Sequence, residues 1–272
     1  MGEFVRLLID EPADGAWNIA VDEAILRAAS VRWGITTVRL YMWCRPTISA
    51  GYFTRLDEEL LNRCKRDGID VVRRLSGGGI VLHDDEVTYS VVFPKSLIGE
   101  CSVLAAYRLI SKGVVIGLRR LGIEARLVCD GLVSADGQDD EVRACKESHK
   151  RLSDQFCYAV RSPTDIVVGS MKLVGSAQAR CKGAILQHGS VPLRWDEEML
   201  CRLFGNGIIE GRAFTSLEEL LLNKPSVDEV VEALCIGFEK AFAQRLQVGM
   251  LSEEEINLAI KLMERKWIFR CE

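Results

Sequence analysis

Several features that would assign a protein to a well-defined class are missing from this 272-residue chain. Its ten cysteines form no CxxC pair and no short framework spacing, which argues against a zinc site and against a disulfide scaffold. No apolar run reaches the roughly 18 residues of a membrane span, and the first residues, MGEFVRLLID, lack the apolar core of a signal peptide. We therefore expect a cytoplasmic protein without a metal site or a membrane partner.

An excess of positive charge is also missing. The formal net charge of −4 argues against bulk nucleic-acid binding, which depends on a basic surface. The chain contains no GxxxxGK[ST] sequence, so an ordinary P-loop is excluded. Basic residues nevertheless gather in the two segments that carry the chemistry: Arg73, Arg74, Lys172, Arg180 and Lys182. Local positive charge on an acidic protein suits a partner or substrate that carries carboxylates or phosphate.

What is present is a pattern of short strands and amphipathic helices. Short strands joined by short loops imply antiparallel pairing, and in EVTYSVVFP the residues Val87, Tyr89, Val91 and Phe93 share one face. Helical spacing is clear from Trp17 to Ser30 and from Ser102 to Leu121, and capping boxes at Ser226 and Ser252 begin two more helices. We predict an α+β fold with a mixed, largely antiparallel sheet flanked by helices and with a helical C-terminal piece.

The domain organisation is less sharply marked. A break near Asn223 divides a catalytic domain, residues 1–223, from a helical C-terminal extension, residues 224–272. Asp57 and Gly68 have the residue types that cap a helix ending at Asp67. From residue 130 to residue 155 the chain is polar and aperiodic, which predicts a mobile surface loop.

Two segments carry the residues that could perform chemistry. The first, from Cys157 to Leu193, contains a cysteine and then Lys172 within a strand, turn and strand. The second, RRLSGGGIVLH from Arg73 to His83, places three consecutive glycines between two predicted strands. Backbone N–H groups of such glycines can face a ligand without interference from a Cβ, and they bind anions or carbonyl oxygens.

Together these segments resemble the family of lipoate-protein ligases and octanoyltransferases. The family shares an Arg-Arg-x-Ser/Thr-Gly-Gly loop, a downstream histidine and a Gly-x-x-Lys-x-x-Gly-Ser-Ala element, all of which occur here between Trp17 and Leu193. The resemblance implies catalytic roles for Cys157 and Lys172. It implies substrate binding by Arg73, Arg74, Ser76, Gly77, Gly78, Gly79, His83, Asp165, Gly175, Ser176, Ala177, Gln178 and His188. It also implies the fold of biotin and lipoate protein ligases.

Within the family, Cys157 ahead of the lysine hairpin is similar to the cysteine-dependent octanoyltransferases. Lys172 corresponds to the lysine that contacts the acyl carbonyl, where its donors can stabilise an oxyanion. A thiolate is a better nucleophile beside a cation, and Lys172, Arg161 or a histidine are candidates for that role. A dyad of Cys157 with His83 or with His188 is a further possibility.

The implied reaction transfers an octanoyl group from acyl carrier protein, through a thioester on Cys157, to a lysine of a lipoyl-accepting domain. Such a domain occurs in the glycine-cleavage H protein and in the E2 subunit of 2-oxoacid dehydrogenases. This reaction needs no ATP. Two alternatives stay open: an ATP- and Mg²⁺-dependent lipoate-protein ligase, which Gly79 and the Thr164-Asp165 pair favour, and an accessory subunit that binds lipoyl domains without independent activity.

Overall fold

A computed structural model describes residues 4–31, 35–94, 103–128, 156–160 and 162–271 of the chain. The strands are β1 Val5–Ile9, β2 Thr37–Tyr41, β3 Thr47–Ala50, β4 Asp70–Arg73, β5 Ile80–His83, β6 Glu86–Pro94, β7 Ala125–Leu127, β8 Ile166–Val168, β9 Met171–Cys181, β10 Ala184–Pro192, β11 Leu246–Val248 and β12 Trp267–Phe269. The helices are α1 Gly15–Val31, α2 Glu58–Asp67, α3 Val103–Arg120, α4 Glu197–Phe204, α5 Gly207–Glu210, α6 Leu217–Leu220, α7 Val227–Phe242 and α8 Glu253–Met263.

The strands form two sheets. The large sheet has the order β11-β1-β2-β6-β10-β9-β8-β7 and the small sheet has the order β12-β4-β3-β5. Parallel pairing occurs between β11 and β1, between β1 and β2, and between β3 and β4, while the other neighbours are antiparallel. The predicted α+β fold with a mixed, largely antiparallel sheet is therefore confirmed.

Apolar side chains cover both faces of the large sheet. The predicted apolar face of β6, with Val87, Tyr89, Val91 and Phe93, packs against α3 and α7. The other face, which includes Val92, packs against α1 and α8. The polar residues of β6, which alternate with this apolar set, are also buried. The second face of the strand therefore places polar groups in the interior, where each of them needs a hydrogen-bond partner.

Capping residues in the sequence correctly predicted where several helices begin or end. Asp57 caps α2 by accepting a hydrogen bond from the backbone N–H of Glu59, and Gly68 ends the helix with φ of 69°. Ser226 and Ser252 both form the predicted capping boxes. Each helix that the structure describes is too short or too polar to span a lipid bilayer. The predicted loop at 130–155 lies outside the described residues.

The last quarter of the chain holds two short strands that the helical pattern did not indicate. β11 pairs with β1 in the large sheet, and β12 pairs with β4 in the small sheet. The helix that starts after Ser252 ends at Met263, shortly before β12 begins at Trp267. The proposed division between residues 223 and 224 stays a prediction, and strands from beyond it complete both sheets.

Candidate active site

A cavity of about 620 Å³ lies where the two sheets meet. All of the site residues that the sequence predicts line it except Arg73 and Ser76. The glycine loop and the segment around Cys157 face the inner strands of the large sheet across this space. Residues that lie more than 80 positions apart in the chain, such as Arg74 and Cys157, are brought together here. A concave, largely preformed pocket with a few converging polar groups is typical of a small-ligand site.

Cys157 is held in place by β5, the edge strand of the small sheet. Its backbone N–H donates to the carbonyl oxygen of Ile80 on β5, at 2.8 Å, and the preceding Phe156 forms a parallel bridge with Ile80. Phe156 and Tyr158 are buried among the aromatic rings of Trp195, Phe204 and Phe214. The cysteine is therefore fixed by its two aromatic neighbours, while its own side chain remains partly exposed to the cavity.

The glycine loop approaches Cys157 closely. Gly78 has φ of 89°, a conformation that residues with a side chain rarely adopt, and a Cβ added to it would lie 3.6 Å from the Cys157 sulfur. A Cβ on Gly51 would overlap the carbonyl oxygen of Gly78. At Gly77, by contrast, an added Cβ would meet no other atom within 4 Å. The loop therefore needs glycine at position 78 for its shape, whereas position 77 has free space beside it.

Arg74 follows β4 and is buried, with its guanidinium turned towards the glycine loop. One terminal nitrogen donates to the carbonyl oxygen and the hydroxyl of Ser49, at 2.6 and 3.1 Å. The other donates to the carbonyl oxygens of Gly77 and Gly79, at 2.9 and 2.8 Å, and lies 3.9 Å from the sulfur of Cys157. Burial lowers the pKa of the Arg74 guanidinium, and the neighbouring Cys157 opposes that shift.

Lys172 on β9 is also buried, and its ammonium group holds the backbone around Cys157. Its Nζ donates to the carbonyl oxygens of Cys157 and Val160, at 2.7 and 3.1 Å. It also pairs with the Asp165 carboxylate at 2.9 Å. An ammonium group has three hydrogens, so these three acceptors can use all of them. Any contact of Lys172 with a substrate oxygen therefore requires that one of these bonds be exchanged.

His83 connects Arg74 to a buried carboxylate. Its Nε2 lies 2.8 Å from the hydroxyl of Ser49, and its Nδ1 lies 2.8 Å from Glu86. Because the Glu86 carboxylate can only accept, the imidazole hydrogen lies on Nδ1, and Nε2 of the neutral ring then accepts the hydrogen of the Ser49 hydroxyl. Burial lowers the pKa of His83, although Glu86 opposes this, which agrees with a neutral ring. The ring also stacks on Trp43, with centroids 3.9 Å apart.

His188 on β10 supports the glycine loop from the opposite side. Its Nε2 lies 2.6 Å from the hydroxyl of Ser76, and its Nδ1 lies 3.3 Å from Asp22. Asp22 also accepts from the buried Arg39 at 2.8 Å. Burial raises the pKa of Asp22, but the bonds to His188 and Arg39 outweigh it and hold the pKa below its usual value. Both histidines thus have their ring nitrogens directed to partners other than the thiol of Cys157.

Polar side chains also lie along the wall of the cavity that β9 and β10 form. Gln178 donates to Gln187 at 2.9 Å, and the Tyr89 hydroxyl lies 2.7 Å from that of Ser176. Gly175, in the same wall, lies beside Lys172, since a Cβ there would be 3.1 Å from its Cε. Ser176 and Gln178 therefore reach the cavity as members of a hydrogen-bonded network within the sheet.

Arg73 lies apart from the cavity. Its guanidinium donates to the carbonyl oxygens of Gly51, Tyr52 and Thr54 and so holds the loop after β3. The candidate cation Arg161 and the polar-loop residue His149 lie outside the described residues. Within those residues, no group of three His, Cys, Asp or Glu side chains is arranged to hold a metal ion.

Sequence reasoning missed Ser49, Asp22 and Glu86, which organise the two histidines. A signal for Glu86 was available, because Glu86, Thr88 and Ser90 alternate with the apolar residues of β6 and all three are buried. Polar residues on the second face of a fully buried strand indicate an internal network. Asp22 had a comparable signal, since it falls within the helical stretch from Trp17 to Ser30.

Proteins of one family resemble this chain over nearly its whole length. The family described as the lipoyl protein ligase A/B catalytic domain matches residues 14–239. An octanoyltransferase LipM from Kyrpidia tusciae is 39% identical over 283 residues, covering 97% of this chain and 98% of that protein. A lipoate-protein ligase A solved with bound ATP superposes with a TM-score of 0.76 at 28% identity, covering 96% of this chain and 95% of that one.

A further structure comes from an archaeal lipoylation system, that of a bi-partite lipoate protein ligase and its E2 lipoyl domain from Thermoplasma acidophilum. It superposes with a TM-score of 0.74 at 25% identity, covering 97% of this chain and 93% of that one. The predicted lipoate protein ligase fold is thus confirmed over nearly the whole length of the chain.

Proposed function

The chain belongs to the lipoyl protein ligase A/B catalytic domain family and is an octanoyltransferase of lipoate biosynthesis, and we propose that it carries the octanoyl group as a thioester on Cys157. One observation carries the proposal. Among the cysteines that the structure describes, Cys157 alone lines the cavity, and it does so between the glycine loop and the lysine strand. A partly exposed cysteine beside cationic groups is the environment that favours a nucleophilic thiolate.

The proposed reaction has two steps. Cys157 loses its proton, the thiolate attacks the thioester carbonyl of the donor, and a new carbon–sulfur bond forms. The donor's carbon–sulfur bond breaks, and its sulfur takes up the proton that Cys157 lost and leaves as a thiol. An acceptor lysine amine then attacks the octanoyl-cysteine, an amide forms, and the proton lost by the amine returns to the Cys157 sulfur. Both steps exchange one acyl bond for another of equal or greater stability, so the transfer runs without ATP.

We propose acyl carrier protein as the donor and a lipoyl domain, as in the H protein or an E2 subunit, as the acceptor, with the reaction in the cytoplasm. The acceptor is supported by the archaeal relative, which is described as a bi-partite lipoate protein ligase and its E2 lipoyl domain. Lys172 is proposed to stabilise the oxyanion in both steps by exchanging one of its carbonyl partners, Cys157 or Val160, for the substrate oxygen.

Octanoyl-carrier thioester supplied without an acceptor is expected to acylate Cys157, because the intermediate accumulates when its second step cannot occur. Intact mass should show one added octanoyl group, and peptide mapping should locate it on Cys157. Cys157→Ala is the control and should remain unmodified.

The ligase alternative is tested in the same experiment with octanoate and ATP. Cys157→Ala with full ATP-dependent activity, together with wild type that never carries an acyl group, would reject the cysteine thioester. ATP and Mg²⁺ would then be required for turnover.

The glycine loop is proposed as one wall of the acyl channel, and Gly77 is the position at which to test it. Gly77→Val is expected to reduce transfer of octanoyl more than transfer of butanoyl, because the new side chain takes cavity space without the backbone strain of position 78. The ratio of kcat/KM for the two donors is the measurement. Gly77→Ala should give an intermediate ratio, and an equal loss for both chain lengths would contradict the role as a wall.

A further inference from the structure

The environment of Arg74 differs from that of the other buried cations. A buried charge is normally paired, because removing it from water is costly. The other buried cations that the structure describes lie within ion-pair distance of a carboxylate: Arg39 of Asp10 and Asp22, Lys172 of Asp165, and Lys266 of Glu23. Within the described part of the chain, no carboxylate lies within 4.0 Å of the Arg74 guanidinium.

The partners that Arg74 does have are neutral, with one exception that depends on ionisation. Three carbonyl oxygens and a hydroxyl accept its hydrogens, and the remaining neighbour is the Cys157 sulfur at 3.9 Å. That sulfur becomes the missing anion when the thiol loses its proton. A guanidinium nitrogen at this distance from a thiolate makes a charge-assisted contact.

The second cation near Cys157 is placed differently. Lys172 donates to the backbone carbonyl of Cys157, and its charge is balanced by Asp165. Arg74, in contrast, faces the sulfur itself. We propose that Arg74 is the counter-ion of the Cys157 thiolate, and that Ser49, held by His83 and Glu86, keeps the guanidinium in place. This proposal rests on Cys157 as the nucleophile of the proposed function.

The hydrogen-bond chain explains why the guanidinium stays in position. The Glu86 carboxylate can only accept, so the ring hydrogen of His83 lies on Nδ1, and Nε2 of the neutral ring accepts the Ser49 hydroxyl hydrogen, which leaves the lone pairs of that hydroxyl for Arg74. The charged and titratable groups around His83 are Glu86, Arg74 and His188. Arg74 thus contacts the reacting sulfur, whereas Ser49, His83 and Glu86 are positioning residues.

Alkylation of the full-length protein by iodoacetamide tests the proposal without any acyl donor. Arg74→Gln is expected to slow alkylation of Cys157 by about tenfold at pH 7, because an opposite charge about 4–6 Å away favours the ionised form. The two alkylation rates should converge as the pH rises above about 8.5, the ordinary pKa of a thiol, because ionisation then needs no counter-ion. Arg74→Lys, which keeps the charge, should recover part of the rate, and the exposed Arg126→Gln should leave it unchanged.

Each cysteine is quantified separately by peptide mass spectrometry, so Cys64 serves as an internal folding probe. It is fully buried and should stay unmodified in any folded variant. His83→Phe, which removes the acceptor for Ser49, should slow Cys157 alkylation at pH 7, whereas His83→Gln should preserve more of the rate. Equal rates of Cys157 alkylation in folded wild type and Arg74→Gln would overturn the proposal, even if octanoyl-Cys157 forms as expected.

A second measurement decides the matter if Arg74→Gln fails to fold. Cys157→Asp introduces a fixed negative charge beside Arg74, and Cys157→Asn is its neutral counterpart of the same size. We expect the melting temperature of Cys157→Asp to be at least about 2–4 °C higher than that of Cys157→Asn at pH 7. An equal or lower melting temperature would refute the counter-ion role. Where Arg74→Gln does fold, equal alkylation rates together with octanoate that raises the melting temperature of wild type alone would overturn the proposal and assign Arg74 to an anionic ligand.

Discussion

Lys172→Ala is expected to lower octanoyl transfer by about a hundredfold or more, because removing one positioned donor from a developing oxyanion commonly costs about 3 kcal/mol. The structure adds a second effect. The substitution leaves the Asp165 carboxylate buried without its ammonium partner. Breaking a buried pair in this way lowers the free energy of unfolding by about 3–5 kcal/mol. Activity at saturating donor and urea denaturation measure the two effects separately.

A double variant distinguishes chemistry from stability. Lys172→Met combined with Asp165→Asn removes both charges and should recover much of the lost stability, since neither partner is then left ionised. It should remain inactive, because the ammonium group proposed to contact the oxyanion is gone. Recovery of transfer in the stable double variant would show that Lys172 acts only as the counter-charge of Asp165.

Asp22→Asn is expected to lower the free energy of unfolding by about 3 kcal/mol at pH 7, because Asp22 is the buried acceptor for Arg39, His188, Tyr41 and Ser90. Its pKa is held below the ordinary value, so it contributes stability that is present above the unfolded pKa of about 3.9 and is lost as the pH falls through the lower folded value. The difference between wild type and Asp22→Asn should therefore shrink below about pH 4.

Asp10→Asn is the matched control for this prediction. Asp10 also accepts from Arg39, at 2.7 Å, but its side chain is 24% exposed, so solvent can replace the interaction. We expect Asp10→Asn to lower the free energy of unfolding by less than about 1 kcal/mol. Urea denaturation of both variants at pH 7 and pH 3.5 provides the comparison. An equal loss of unfolding free energy in the two variants would show that the buried Asp22 stabilises the fold no more than an ordinary ion pair does.

The sequence predicted those parts of the fold that depend on neighbouring residues. Asp57 and Gly68 cap α2 because the interactions that end a helix lie within a few positions. β11 and β12 escaped prediction because three-residue strands are too short to show a period, and their pairing with β1 and β4 is set by distant packing.

The same distinction applies to the site. The glycine loop and the Lys172 hairpin are continuous motifs, and the structure brings their residues around one cavity. The side-chain partners are non-local: Arg74 meets Cys157, and Ser76 meets His188, across more than 80 positions. The sequence named Lys172, Arg161 or a histidine as the cation beside the thiol, whereas the folded chain shows that Arg74 faces the sulfur.

The late strands also have a consequence for biosynthesis. β1 pairs with β11 and β4 pairs with β12, so β1 and β4 are synthesised well before their partners and wait for them. At about 5–20 residues per second, this interval is on the order of ten seconds to a minute. During it, the outer edges of β1 and β4 offer unpaired backbone groups beside apolar side chains, the arrangement that attracts other chains. The nascent enzyme should therefore depend on chaperones until β11 and β12 leave the ribosome.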